Sequence, residues 1–120
     1  MKNYFVLAAA AAIVTGSALP ALAAPQTLTG EVISLNCYSQ NKRNVGKVGY
    51  LCALGDVKWE GNPPALLTAD GKVYQIAGPV VSDNNARVAP LLGHQVTITG
   101  EVSEYLGLSI IKTGEITPKD

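Results

Sequence analysis

The residue types that carry most metal and acid–base chemistry are scarce in this chain. It contains one histidine, two cysteines and one tryptophan, and Met1 is its only methionine. Charged residues make up only 15% of the 120 residues, and nine basic side chains balance nine acidic ones. A near-neutral chain has no electrostatic reason to bind nucleic acid or an anionic membrane, so we expect neither as a partner. The hydrophobic fraction of 48% instead indicates a compact globular domain.

The beginning of the chain has the pattern of a secretory signal peptide. Lys2 supplies a positive charge, an apolar run covers residues 4–14, and small residues at 21–23 offer a cleavage site. The apolar run is about half the ~20 residues that a membrane-spanning helix needs. We therefore predict a signal peptide over 1–23 and a single mature domain over 24–120. The mature protein is expected to be periplasmic or otherwise secreted, with no membrane insertion after cleavage.

Two cysteines, Cys37 and Cys52, are present. An even number of cysteines in an exported chain favours a disulfide, and a loop of about 15 residues is worth ~3 kcal/mol in the chain-entropy model. The alternative is a metal-handling or thiol-redox protein centred on this pair. A redox pair is usually spaced as Cys-x-x-Cys, and a zinc site needs further ligands, for which Asp56 and His94 are the candidates.

The mature chain predicts five short strands. Residues 94–105 alternate between apolar and polar side chains, as a half-buried strand does. Gly30 and Gly100 interrupt two strands within the same Thr-Gly-Glu-Val phrase, and such glycines provide the kinks that let a small sheet close. Residues 81–93 contain helix-capping and helix-ending signals around Pro90, which predict one short, broken helix.

The order of these elements is typical of an OB-fold. That five-stranded barrel has the same plan as this chain: strand, long cysteine-bridged loop, strand, strand, short helix, strand, strand. The predicted fold class is therefore all-β: a small five-stranded OB-like barrel with one short helix between strands 3 and 4. An open β-sandwich-like arrangement is the alternative.

The clearest turn signal is Asp70-Gly71, between two β-rich runs. This pair favours a two-residue type I′ turn, because aspartate and glycine tolerate positive φ. Such a turn would place Leu67 opposite Tyr74, with both side chains on the core face.

Candidate ligand-binding residues lie in and around the long first loop. Residues 41–49 contain the one basic cluster, and OB-folds often bind ligands with this loop. Trp59 follows in a segment without helix or strand periodicity, where it either plugs one end of the barrel, the commoner role, or contacts a partner. The predicted ligand-binding residues are Tyr38, Lys42, Arg43, Tyr50 and Trp59.

The acidic residues and His94 form no recognisable acid–base pair or catalytic triad in the sequence. We therefore predict a non-catalytic binding or accessory module without a cofactor. Its partner would be a small molecule or another protein, and we expect the module to be monomeric.

Several of these segments together resemble a known group of proteins. The chain resembles small, largely uncharacterised bacterial exported OB-like proteins. The resemblance is carried by Cys37-Tyr38, Cys52-Ala53 and the Leu-Leu-Thr-x-Asp-Gly run at 66–71. Fuller members of that group carry a histidine three residues before the second cysteine and another cysteine four residues after it, which looks like a metal or haem site. Gly49 and Asp56 stand at those positions here. The resemblance thus implies fold and compartment, and a disulfide rather than a bound cation.

Overall fold

The computed structural model describes residues 24–119, so the predicted signal peptide and Asp120 lie outside the described residues. Five longer strands and a helical connection between the first two of them make up most of the structure. In chain order the main elements are β1 (Pro25–Ser34), α1 (Leu35–Gln40), α2 (Gly46–Ala53), a π-helical turn (Leu54–Trp59), β2 (Pro64–Thr68), β3 (Val73–Ala77), β4 (Gln95–Tyr105), β5 (Leu108–Lys112) and β6 (Thr117–Pro118). Between residues 24 and 119 there is no helix of the length and apolar character that crossing a membrane requires.

Five strands close into a mixed β-barrel, which confirms the predicted fold class. The strand order is β1-β2-β3-β5-β4, and β4 pairs again with β1. β3 and β5 run parallel, while the other neighbouring pairs are antiparallel. The two-residue β6 pairs with the start of β4. Fully buried side chains fill the barrel, among them Val32, Leu66, Val96, Ile98 and Ile111.

Two glycines mark the places where long strands change partners. β1 pairs with β4 as far as Glu31 and with β2 from Gly30 onward, so the change occurs at Gly30. β4 likewise passes from β1 to β5 beside Gly100. A Cβ at Gly30 would collide with the carbonyl of Leu67, and one at Gly100 with the carbonyl of Lys112. The barrel therefore closes at two positions where a side chain has no room.

The β2–β3 hairpin differs by one residue from the predicted register. Leu66, not Leu67, lies opposite Tyr74. The connection is a three-residue loop at 69–71, in which Gly71 has a φ of 87°. A type I turn followed by a left-handed residue is the usual form of such a loop. As a consequence, Leu66 is the residue that enters the core, and it is fully buried.

The Asp70 side chain accounts for the longer loop. Its carboxylate accepts hydrogen bonds from the Thr68 hydroxyl and from the Lys72 N–H, the second at 3.2 Å. The Thr68 N–H in turn donates to the Lys72 carbonyl at 2.9 Å, which closes the loop. The bond from Thr68 is the main reason that the pKa of Asp70 lies below its ordinary value.

The main helical segment lies between β1 and β2, not between strands 3 and 4 as predicted. Residues 35–59, hereafter the helical insertion, contain α1, α2 and the π-helical turn. Between β3 and β4 the chain forms only short turns, at Pro79–Val81, Ser82–Asn85 and Ala89–Leu91. Proline begins or interrupts two of them, and the middle one contains left-handed residues.

The sequence gives no start signal for α2 because its cap comes from another element. Val45 precedes the helix and provides no side-chain hydrogen bond. Instead, the Glu31 carboxylate of β1 accepts a hydrogen bond of 2.5 Å from the Gly46 N–H. A negative charge at a helix N-terminus is favourable, since the free N–H groups there carry partial positive charge.

Candidate functional site

A groove of about 510 Å³ separates the helical insertion from the segment between β3 and β4. We call it the insertion groove. One wall belongs to α2 and the π-helical turn, and the other to the short turns at 83–90. Its lining residues are Tyr50, Leu54, Lys58 and Trp59 on the first wall, and Asp83, Asn84, Ala86, Ala89 and Pro90 on the second.

Two exposed aromatic side chains stand on the first wall. Trp59 is 70% exposed and Tyr50 is 41% exposed. The Lys58 ammonium lies over the indole of Trp59, 4.9 Å from the ring centroid. The prediction that Trp59 plugs one end of the barrel is wrong, because the π-helical turn ends at this residue and directs its ring toward solvent. The alternative role of a partner contact stays open.

The second wall contains an unusual backbone conformation. Asp83, Asn84 and Asn85 have φ values of 60°, 56° and 62°, so three successive residues are left-handed. This conformation disfavours most L-residues by roughly 1–2 kcal/mol each, and Asp and Asn are the residues that adopt it most readily after glycine. Such strain persists only where surrounding contacts hold it in place.

The amide side chains of this left-handed turn bind the end of the helical insertion. Asn85 is buried and donates to the carbonyls of Val57 and Asn62, both at 3.0 Å. Asn84 donates to the carbonyl of Lys58 at 3.2 Å. The last carbonyls of a helix lack partners within the helix, so these amides satisfy groups that would otherwise need water. The two walls of the insertion groove are thereby joined directly.

A buried carboxylate fastens the insertion at its other side. Asp56 accepts hydrogen bonds from the Ser34 hydroxyl at 2.6 Å, the Asn62 amide at 2.7 Å and the Asn36 amide at 3.2 Å. Burial raises the pKa of Asp56, but the three donors outweigh it and hold the pKa below the ordinary value. The Ser34 hydroxyl also accepts from the Cys37 N–H at 2.9 Å and so caps α1.

The disulfide between Cys37 and Cys52 is present and joins α1 to α2. Their Cα atoms are 6.2 Å apart, and Cys37 is buried whereas Cys52 is exposed. The two other candidate metal ligands lie elsewhere: Asp56 is bound by its three donors, and His94 is exposed just before β4. Within residues 24–119, no three His, Cys, Asp or Glu side chains are grouped so that they could hold a metal ion.

Position 49 has no room for a side chain. Gly49 is buried, and a Cβ on it would lie 2.6 Å from the Cα of Asn44. The Asn44 amide is itself fixed by a 2.8 Å hydrogen bond to the carbonyl of Cys37. Because backbone atoms form this contact, a larger residue would displace the loop before α2.

The structure brings together two of the five predicted ligand-binding residues. Tyr50 and Trp59 both line the insertion groove. Tyr38 is half-buried on α1, and Lys42 and Arg43 are exposed in the turn between α1 and α2, outside the groove lining.

Sequence reasoning missed the polar residues of the groove, namely Lys58, Asp83 and Asn84. Ser82 or Asp83 was predicted to cap a helix, since serine and aspartate favour helix N-termini. Aspartate and asparagine also favour the left-handed region, so the unbroken run at 83–85 was the available signal for a turn.

Comparison with known proteins assigns no family to this geometry. No protein-family model matches the chain, and neither curated proteins nor solved structures include a significant match. The resemblance to exported OB-like proteins therefore stays a prediction, and the function has to follow from the groove itself.

Proposed function

We propose that this protein is a non-catalytic, exported binding module whose ligand site is the insertion groove. The observation that carries the proposal is Trp59, a large aromatic side chain left 70% exposed at the edge of a cavity of about 510 Å³. Small-molecule sites typically have volumes of roughly 300–1,000 Å³. Tryptophan and tyrosine are also the side chains that most often anchor a bound partner.

Because these aromatic rings are exposed, the free protein lacks the stabilisation that their burial would provide. Burying one large apolar side chain is worth roughly 1.5–3 kcal/mol, a gain that the fold forgoes at Trp59. The left-handed turn opposite it adds backbone strain. Both features lie on the same groove, and a ligand that covers the rings recovers the lost burial. This coincidence supports a binding role for the groove.

The connectivity of the barrel supports its assignment as an OB-fold. The order β1-β2-β3-β5-β4-β1, with a parallel β3–β5 pair, is that of the five-stranded OB barrel. OB-folds commonly bind ligands with the connection between strands 1 and 2. In this protein that connection is the helical insertion, which forms one wall of the groove.

Export to the periplasm is the location that the sequence and the disulfide favour together. A bond between Cys37 and Cys52 is consistent with an oxidising compartment. The intact mass of the exported protein, without reductant, tests the location and the cysteine state at once. We expect a chain beginning near residue 24, two hydrogens lighter than its reduced form and without an adduct. A metal or haem adduct on a reduced chain would favour the metal-handling or thiol-redox alternative.

Trp59 is the only tryptophan of the chain, so its fluorescence reports on the groove without background from other indoles. We expect at least one class among neutral saccharides, amino acids, quaternary ammonium ions and inorganic anions to shift its emission saturably. Tyr50→Ala should weaken that binding. Tyr105→Ala is the matched control, because Tyr105 is 67% exposed but lies outside the groove lining. Equal losses in the two variants, or no response to any class, would refute the proposal.

A further inference from the structure

We infer that the insertion groove binds a neutral saccharide, with a sugar ring stacked on Trp59 and its hydroxyls bound by Lys58, Asp83 and Asn84. The inference rests on the proposed function, because it names the ligand class of the same groove. It follows from the charges of the lining, from the aromatic surface and from the way in which the second wall is held.

The lining presents one fixed charge of each sign. Lys58 contributes an ammonium on the first wall and Asp83 contributes a carboxylate on the second. A ligand with a net charge has the same sign as one of these two groups, and the repulsion between them opposes binding. A hydroxyl both donates and accepts hydrogen bonds, so a neutral polyhydroxylated ligand can satisfy both groups. Hydrogen bonds to ionised groups are the stronger kind, which suits recognition of hydroxyls.

The aromatic surface suits the other side of a sugar. One face of a pyranose ring presents C–H groups, whose hydrogens carry partial positive charge, and the face of an aromatic ring is electron-rich. The Lys58 ammonium lies over one face of the Trp59 indole, 4.9 Å from the ring centroid. Because Trp59 is 70% exposed, a sugar ring would stack on the other face. Leu54, Ala86 and Pro90 add apolar surface to the lining, where the remaining C–H groups can be covered.

The polar wall is held in place before any ligand arrives. The Asn84 amide donates to the carbonyl of Lys58, and the neighbouring Asn85 is buried with one hydrogen bond to Val57 of the insertion and one to Asn62 just after it. A wall that is already ordered loses little conformational entropy on binding. Saccharides gain little from hydrophobic burial alone, so a preformed wall matters more for them than for an apolar ligand.

The alternative of a single-stranded nucleic acid fits these observations less well. Binding of a phosphate backbone needs a positively charged groove that follows the strand. The only cation of the lining is balanced by Asp83, while the exposed basic residues Lys42, Arg43 and Lys47 lie outside it. The charges of the groove therefore favour a neutral saccharide over a phosphate-bearing strand.

The test is a glycan array of neutral, sulfated and sialylated glycans, probed with the mature chain over 24–120. We expect neutral glycans to be retained, and the best of them to change Trp59 fluorescence on titration. Asp83→Asn removes the carboxylate but keeps a residue that tolerates φ of 60°. Loss of one charge-assisted hydrogen bond should weaken binding roughly ten- to hundredfold. Asp70→Asn, on the exposed β2–β3 loop, is the matched control and should bind as the wild type does.

The outcomes separate the saccharide inference from the proposed function. If choline, lysine or inorganic phosphate shifts the emission of Trp59 and no neutral glycan does, the saccharide inference is overturned and the groove remains a ligand site. If a neutral glycan binds to Asp83→Asn and to Tyr50→Ala as tightly as it binds to the wild type, it binds outside the groove and the inference is overturned as well. If neither glycans nor the other probes bind, both proposals fail.

Discussion

Replacing Asp56 by Asn should destabilise the protein, although the two side chains have nearly the same shape. Oδ1 of Asp56 accepts from the amides of Asn36 and Asn62, and Oδ2 accepts from the Ser34 hydroxyl. An asparagine can keep Oδ1 in place, but its NH₂ group then faces the Ser34 hydroxyl and cannot accept the proton. One hydrogen bond to a charged acceptor is lost, so we expect the free energy of unfolding to fall by about 1.5–3 kcal/mol.

The effect of Asp56→Asn should depend on pH. The donors hold the pKa of Asp56 below its ordinary value in the folded state. A group whose pKa is depressed by folding stabilises the protein above its unfolded pKa, about 3.9 for Asp, and loses this contribution as the pH falls through the folded pKa. The difference between wild type and variant should therefore be full at pH 7 and begin to shrink as the pH falls below about 4.

Urea denaturation at a series of pH values, followed by far-UV circular dichroism, measures this difference directly. Comparing variant with wild type cancels the titration of the other carboxylates. Asp83→Asn is the control, because Asp83 is exposed and asparagine tolerates its backbone conformation, so its stability should change by less than about 0.5 kcal/mol. A loss at pH 7 no larger than that of the control, or one that stays constant down to pH 3, would show that the Asp56 carboxylate is not what fastens the insertion.

Three further tests address other parts of the structure. Leu106 is 89% exposed with a φ of 52°, and Asn-Gly is the preferred pair in such a turn. Leu106→Asn should therefore raise the free energy of unfolding by about 0.5–1 kcal/mol, measured as a higher midpoint of thermal unfolding. Gly49→Ala should strongly destabilise the protein, because the added Cβ would collide with backbone atoms, whereas Gly55→Ala should not, because the space around Gly55 is open. Chemical denaturation of the two variants measures the difference. Reduction of the bond between Cys37 and Cys52 should lower the stability by about 3 kcal/mol, measured by urea unfolding with and without reductant.

The barrel could be predicted from the sequence because its signals are local. The alternation along residues 94–105 placed Val96 and Ile98 inward, and both are fully buried. Gly30 and Gly100 marked the strand kinks because a backbone without Cβ has a direct physical use where strands change partners. The hairpin register was wrong by one residue, since it depends on the hydrogen bonds of a single side chain, Asp70, and not on the period of the strands.

The groove was only partly predictable because its walls meet through contacts between distant segments. Asn85 is 28 residues from Val57 in sequence, and Glu31 is 15 residues from the Gly46 N–H that it caps. No local pattern encodes such side-chain-to-backbone pairs. Trp59 illustrates the same limit, because a segment without periodicity does not specify whether its aromatic residue is buried or exposed.

The helical insertion and the barrel are stabilised by different contacts, so the groove and the barrel can unfold separately. The disulfide cross-links the insertion internally, and Asp56 and Asn85 connect it to its surroundings. The insertion contributes Ala53 and Val57 to the core, whereas the strands supply most of the buried apolar side chains. Segments with few buried apolar contacts open at a lower free energy than the core does. The insertion should therefore open before the barrel, and reduction or acid, which each release one of its fastenings, should change the shape of the groove while the strands remain paired. A ligand bound between the two walls would oppose that opening, since it favours the closed state by mass action.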